Sequence, residues 1–207
     1  THFQRDPLNP SVVLGVGDDA AIVSQRSDYE TVISVDSVVA GRHVPQICPP
    51  DGFAARLLGR GLSDLAAMGA DPKYVLLSLT LPTFEPGWVD HFADRFHKLC
   101  VRFGLDLVGG DTSKGPLSAH ITVIGHVPKG SAISRSGLRS GDDLWLFGPD
   151  LGGARAYLDV LDGLESNHEV WAERYWRPEP QLVAGLSLRG MASAMIDISD
   201  GLCQDLF

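Results

Sequence analysis

Basic side chains are scarce in this sequence, and so is glutamate. Lys and Arg together number 17 against 26 Asp and Glu, a net charge of −9 over 207 residues. That balance argues against nucleic acid or an anionic membrane as the main partner. Of the acids, 20 are Asp and only 6 are Glu. Cysteine is sparse too. Cys48, Cys100 and Cys203 are scattered, odd in number and without metal-ligand spacing, which leaves no basis for a disulfide framework or a zinc site and fits ordinary thiols in a reducing cytoplasm. No apolar run approaches the length of a membrane span, and no signal-peptide pattern stands at Thr1. Neither GxxxxGK[ST] nor GxGxxG occurs, so the common nucleotide folds lack support. No internal repeat or low-complexity segment is visible.

What is present is ordinary globular composition, 44% hydrophobic and 21% charged, in a length that suits one large domain or two smaller ones. Residues 31–36 (TVISVD) alternate and read as a strand ending at Asp36. Residues 51–70 read as an amphipathic helix stopped by Gly69 and Asp71-Pro72, and 86–103 as a second, with Trp88, Phe92, Phe96 and Leu99 near one face. Strands are expected at 74–82, at 105–111 running into a glycine turn, and at 119–128. Residues 129–142, rich in Ser, Gly and basic side chains, mark a crossing into a second domain. Beyond it a strand at 143–148, helices near 152–162 and 181–192, and the segment AMIDIS (194–199) are too little for a complete domain, which looks cut short.

The aspartates are the informative feature. Asp18 and Asp19 stand side by side in GVGDDAAIV with no Lys or Arg in the stretch, so something else must neutralise them. Five segments repeat the theme of an Asp at a strand end, a Gly or Ser turn or a helix edge: GDDAA (17–21), SVDS (34–37), LSDLAAMG (62–69), GGDT (109–112) and DISDG (197–201). Carboxylates converging without basic partners cannot all ionise unless they share cations, and oxygen-only sites favour Mg²⁺ or Ca²⁺. Magnesium held by one or two carboxylates leaves room for water and phosphate, which predicts nucleotide-phosphate handling. Gly109, Gly110 and Gly137 would let backbone N–H groups approach phosphate. Taken singly, each Asp has a plainer role. Asp18 could cap a turn, Asp64 could pair with Arg60 one turn earlier, and Asp197 or Asp200 could cap the last helix. Asp64 does fall at the border of its helix's apolar arc rather than at its exposed centre.

In order, GDDAA, SVDSVVAGRHV, LSDLAAMGADP, GGDT, SRSGLRSGD, RPEPQ and DISDGL resemble the thiamine-monophosphate kinases over about residues 12 to 206. That family belongs to the superfamily of aminoimidazole ribonucleotide synthetase and selenophosphate synthetase. The resemblance implies an α+β fold. An N-terminal mixed sheet with flanking helices, residues 1–130, would bind ATP and Mg²⁺ and form a barrel across a homodimer, and 136–207 would begin a second, incomplete α/β domain. It implies a cytoplasmic phosphotransferase that makes thiamine diphosphate from thiamine monophosphate and ATP by direct in-line transfer, with several Mg²⁺ ions and no covalent catalytic residue. By motif position, Asp19, Ser34, Asp36, Asp64, Asp111 and Asp197 are the implied Mg²⁺ ligands, with Asp200 for a further ion. Gly110, Asp111, Arg135 and Ser199 are the implied ATP contacts, and His43 the implied contact to the thiamine phosphate.

Three positions depart from that pattern. Val35 stands where relatives often carry Thr, Gly61 where Asn is common, and Val44 where Phe is usual. The family's later segment, with its Ser-Gly-Gly-Glu-Asp-like substrate motif, is not in this sequence. Two alternatives stay open: another ATP-using member of the superfamily, acting on a purine-pathway intermediate, selenide or a hydrogenase-maturation substrate, or a Mg-nucleotide-binding module without turnover.

Overall fold

The computed structural model describes residues 2–17, 19–148, 151–163 and 168–206. Asp18 lies outside them. In chain order the elements are β1 (Val12–Leu14), β2 (Ile22–Val23), β3 (Tyr29–Val39), α1 (Pro50–Ala67), β4 (Asp71–Leu81), α2 (Pro86–Phe103), β5 (Asp106–Lys114), β6 (Ser118–Pro128), α3 (Gly153–Leu161), α4 (His168–Trp176), α5 (Leu182–Ser187) and α6 (Leu202–Leu206).

Local chemistry accounts for both long helices. Each begins with proline, Pro50 or Pro86, whose fixed φ suits the first turn and whose missing N–H is no loss there. Each ends at a glycine with positive φ, Gly69 at +63° and Gly104 at +70°. Past Gly69, Ala70 donates back to the Leu65 carbonyl at 2.8 Å, which closes the helix end. The buried stripe of α1 runs through Phe53, Leu57, Leu58, Leu62 and Leu65, and each such side chain contributes roughly 1.5–3 kcal/mol by leaving water. On α2, Trp88 stacks on Phe92 at 5.4 Å and Phe92 on Phe96 at 5.8 Å between ring centroids.

The main sheet has four strands in the order β3-β6-β4-β5, antiparallel except for the parallel β4–β5 pair. Alternation places Val38, Val75, Leu77, Leu79, Ile121 and Val123 under the two helices, all buried. On the opposite face Ile33 and Val35 are exposed. A second, two-stranded sheet pairs β1 with β2. Among the described residues no helix is long and apolar enough to cross a membrane.

Several expectations need correction. The mixed sheet with flanking helices is there, but it is open: β3 and β5 are its two edges, and no barrel closes. Four strands of one chain cannot reach the strand number at which a barrel closes on itself, and the single chain contains no dimer interface. The strand expected at 143–148 is not found either. No strand is found among the described residues after Pro128, and the apolar stretch at 143–148 is exposed and irregular. Alternation alone does not make a strand when no neighbouring strand takes up its N–H and C=O groups. Helix α4 was not expected, because its anchoring is tertiary. The Trp176 ring lies so close over Gly52 of α1 that a Cβ there would meet it at 2.8 Å. Two polar positions expected at strand ends or turns lie inside strands. Asp36 sits within β3, which continues to Val39 because β6 pairs with it throughout. Gly110 and Asp111 lie within β5, after a bulge opposite Val75–Leu76.

Candidate functional site

One group of residues forms where β3 meets α1. Even-numbered residues of β3 face the helix, so Ser34, Asp36 and Val38 share a side; on α1, Arg60 and Asp64 are one turn apart. The Ser34 hydroxyl donates to Asp64 Oδ2. Arg60 Nε donates to Asp36 Oδ2 at 2.9 Å, and Asp36 Oδ1 accepts the Ser37 N–H at 2.6 Å. Arg60 therefore turns across to the strand for its partner rather than along its own helix to Asp64.

The electrostatics join Asp197 to this group. Burial pushes the Asp64 carboxyl above the ordinary carboxylate range; the Ser34 hydrogen bond opposes that, the Asp36 charge adds to it and Arg60 opposes it. Burial likewise raises Asp197, the Asp64 charge raises it further, and a hydrogen bond from Ser63 works against both. Asp36 and Asp64 thus share the Arg60 guanidinium, while the charges that reach Asp197 are the negative ones of Asp64, Asp205 and Asp36. The donors are all hard oxygens, and the accumulated negative charge is what a divalent cation would relieve.

The remaining expected residues stand elsewhere. Across the sheet Asp36 pairs with Ile121, Ile121 with Leu77, and Leu77 with Gly110. Asp111 is therefore about 14 Å from Asp36, three strand spacings away, too far to ligate the same ion. Asp19 and Asp111 are exposed. Asp200 is exposed as well, and the backbone N–H groups of Ser199, Asp200 and Gly201 all donate to Asp205 Oδ2 at 2.9–3.1 Å. Arg135 is exposed. The His43 side chain is exposed too, and its Nδ1 accepts the Val39 N–H at 3.1 Å. Among the described residues no three His, Cys, Asp or Glu side chains converge closely enough to hold one metal ion between them. Magnesium does not require three, since one or two carboxylates completed by water and phosphate suffice, so the Asp64–Asp197 pair with Ser34 and Asp36 fits it.

Residues 17–127 match the family described as AIR synthase related protein, N-terminal domain. The chain belongs to the AIR synthase related protein family. Within that setting it is 40% identical over 202 residues to the thiamine-monophosphate kinase of Escherichia coli (strain K12), covering 94% of this chain and 61% of that protein. The crystal structure of thiamine-monophosphate kinase from Stenotrophomonas maltophilia K279a aligns with a TM-score of 0.89 at 37% identity, over 95% of this chain and 65% of that one. AaThiL complexed with AMPPCP and TMP aligns at 0.81 and 27% identity, over 92% and 62%. The chain spans less than two thirds of each of these three relatives.

The family match takes in Asp19, Ser34, Asp36, His43, Asp64, Gly110 and Asp111, while Arg135, Asp197, Ser199 and Asp200 lie beyond it. Sequence reasoning passed over three residues of this family member. The sequence assigns Arg60 only as a partner for Asp64 and gives Ser63 and Asp205 no role. Arg60 carried a usable signal, being the one basic side chain a helical turn from Asp64. Asp205 carried none, because its role depends on the chain folding back over residues 199–201.

Proposed function

We propose that the full natural chain transfers the terminal phosphoryl group of ATP directly to thiamine monophosphate, giving thiamine diphosphate without a phosphoenzyme. The observation that carries this reading is the Ser34–Asp36–Asp64–Asp197 group, whose carboxylates raise one another's charge cost, in a chain similar to thiamine-monophosphate kinases. Similarity to AaThiL complexed with AMPPCP and TMP supports the same pair of ligands here. Asp36, Asp64, Asp197 and Ser34 are the residues that hold magnesium, and Asp19, Asp111 and Asp200 serve further ions. When bound, magnesium offsets the charge of the transferring phosphates.

The chain's own part is positioning. Gly110 has φ +153°, and a Cβ there would meet the Leu77 carbonyl at 1.9 Å, so glycine is what lets β5 lie this close to β4 where the chain enters Asp111. Arg135 offers a permanently charged fork for the ATP phosphates. Asp111 and Ser199 complete the nucleotide contacts, and His43 donates to the phosphate of the acceptor. In this proposal residues 1–130 are the ATP- and Mg-binding unit and 136–207 begin the next domain.

The test is ADP release by the full natural chain. Release should require both thiamine monophosphate and Mg²⁺. Release stimulated instead by selenide or by a purine-pathway substrate, or none with any acceptor, overturns the proposal. In a calorimetric titration with Mg-ATP, Asp64→Asn should abolish magnesium-dependent binding while leaving the fold intact.

A further inference from the structure

We propose that Tyr175 is a positioning residue for His43, holding the turn that presents its imidazole, and that Arg56 keeps Tyr175 in place. The inference rests on the reading of His43 as the residue that meets the acceptor's phosphate.

The chain leaves β3 at Val39 and reverses at Gly41, whose φ of +75° favours glycine. Within the turn the Val39 carbonyl accepts the N–H groups of Arg42 at 3.2 Å and His43 at 2.8 Å. The Val39 N–H in turn donates to His43 Nδ1. A backbone N–H can only donate, so Nδ1 presents its lone pair and the neutral ring carries its proton on Nε2. The turn thereby selects one tautomer and leaves a single N–H donor on an exposed ring, the complement of a phosphate oxygen.

From 132 residues along the chain, the Tyr175 hydroxyl donates to the His43 carbonyl at 3.1 Å. Tyr175 is buried and the bond is part-buried, which limits competition from water. Arg56 holds it from two sides. One guanidinium nitrogen donates to the Tyr175 carbonyl at 2.5 Å, and the guanidinium lies 3.9 Å over the ring centroid. Tyr157 and Trp176 pack against the same ring, at 4.6 Å and 4.9 Å between centroids. Arg56 occupies this place although its Nε is buried without a partner, a cost to folding that an apolar side chain would avoid. Helices α1 and α4 thus converge on one backbone carbonyl of an exposed turn.

Tyr175→Phe in the full natural chain removes the hydroxyl and keeps the ring. The KM for thiamine monophosphate should rise about threefold to tenfold, the range of one net hydrogen bond, with kcat and the KM for ATP within about twofold of wild type. Because Tyr175 acts through His43, the same substitution in a His43→Ala background should add no further rise. Tyr157→Phe, which alters the same aromatic cluster without touching His43, should leave that KM unchanged. An unchanged KM in Tyr175→Phe, an equal rise in both backgrounds, or an equal rise in Tyr157→Phe overturns the proposal. A wild-type chain without thiamine-monophosphate-dependent ADP release overturns the functional reading itself, and this inference with it.

Discussion

Replacing Arg60 by Met tests the charge balance on which the site depends. The Arg60–Asp36 pair has its nitrogen and oxygen 2.9 Å apart, with the two side chains 33% and 19% exposed. Charge centres about 4 Å apart at an effective dielectric of ~20 attract by roughly 4 kcal/mol. Water reaching both groups screens part of that, and Met keeps the packing of the aliphatic stem. Exposed pairs contribute ~0.2–1 kcal/mol and breaking a fully buried pair costs ~3–5, so this half-buried pair should cost about 1–2 kcal/mol to break. The assay is urea unfolding in EDTA followed by tryptophan fluorescence, for Arg60→Met, Asp36→Asn and the double variant. A coupling energy of about 1–2 kcal/mol is expected; additivity within about 0.5 kcal/mol refutes the reasoning. Added Mg²⁺ should stabilise Arg60→Met more than wild type, because Asp36 then loses the guanidinium hydrogen-bonded to it. An equal magnesium effect in both would remove Asp36 from the proposed ligands.

Two further substitutions probe the scaffold. Burial first, then the charge of Lys73, hold the His126 imidazole below its usual 6.5, while Asp71 pulls the other way. Below pH 6.5 the unfolded chain binds a proton that the folded chain refuses, so stability should fall as pH drops from there toward the lowered value. His126→Gln should flatten that dependence when urea midpoints at about pH 7.5 and 5.5 are compared; equal slopes would count against it. Gly110→Ala should destabilise the chain by at least about 2 kcal/mol, since its Cβ would meet the Leu77 carbonyl at 1.9 Å. A melting temperature within a degree or so of wild type would mean that the β4–β5 pairing shifts at little cost.

Much of the scaffold is legible without coordinates. Helices α1 and α2 follow from apolar residues at helical spacing between a proline and a glycine, and β4 and β6 from alternating β-branched and apolar runs. Failures have a common cause. The stretch at 143–148 has a strand's composition but no neighbour to pair with, and α4 has little amphipathic signal until Gly52 admits Trp176. Asp36 reads locally as a strand end, yet β3 runs on, because Arg60 compensates a charge in mid-strand and β6 supplies the hydrogen bonds.

For the site the division is similar. The chemical character of the carboxylates, short, oxygen-only and poor in basic neighbours, resides in composition and spacing and is fully present in the chain as written. So is the position of Asp64 at the margin of an apolar helical face, because a helix's periodicity is local. Which carboxylates meet is another matter. Asp36 finds Arg60 across 24 residues, Ser34 finds Asp64 across 30, and His43 is reached by Tyr175 across 132. Such partners are chosen by strand order and helix packing, which sum many weak contacts over the whole molecule, and no local window of sequence contains that sum. By the same logic Asp111, alike in local motif, is carried three strands away from Asp36.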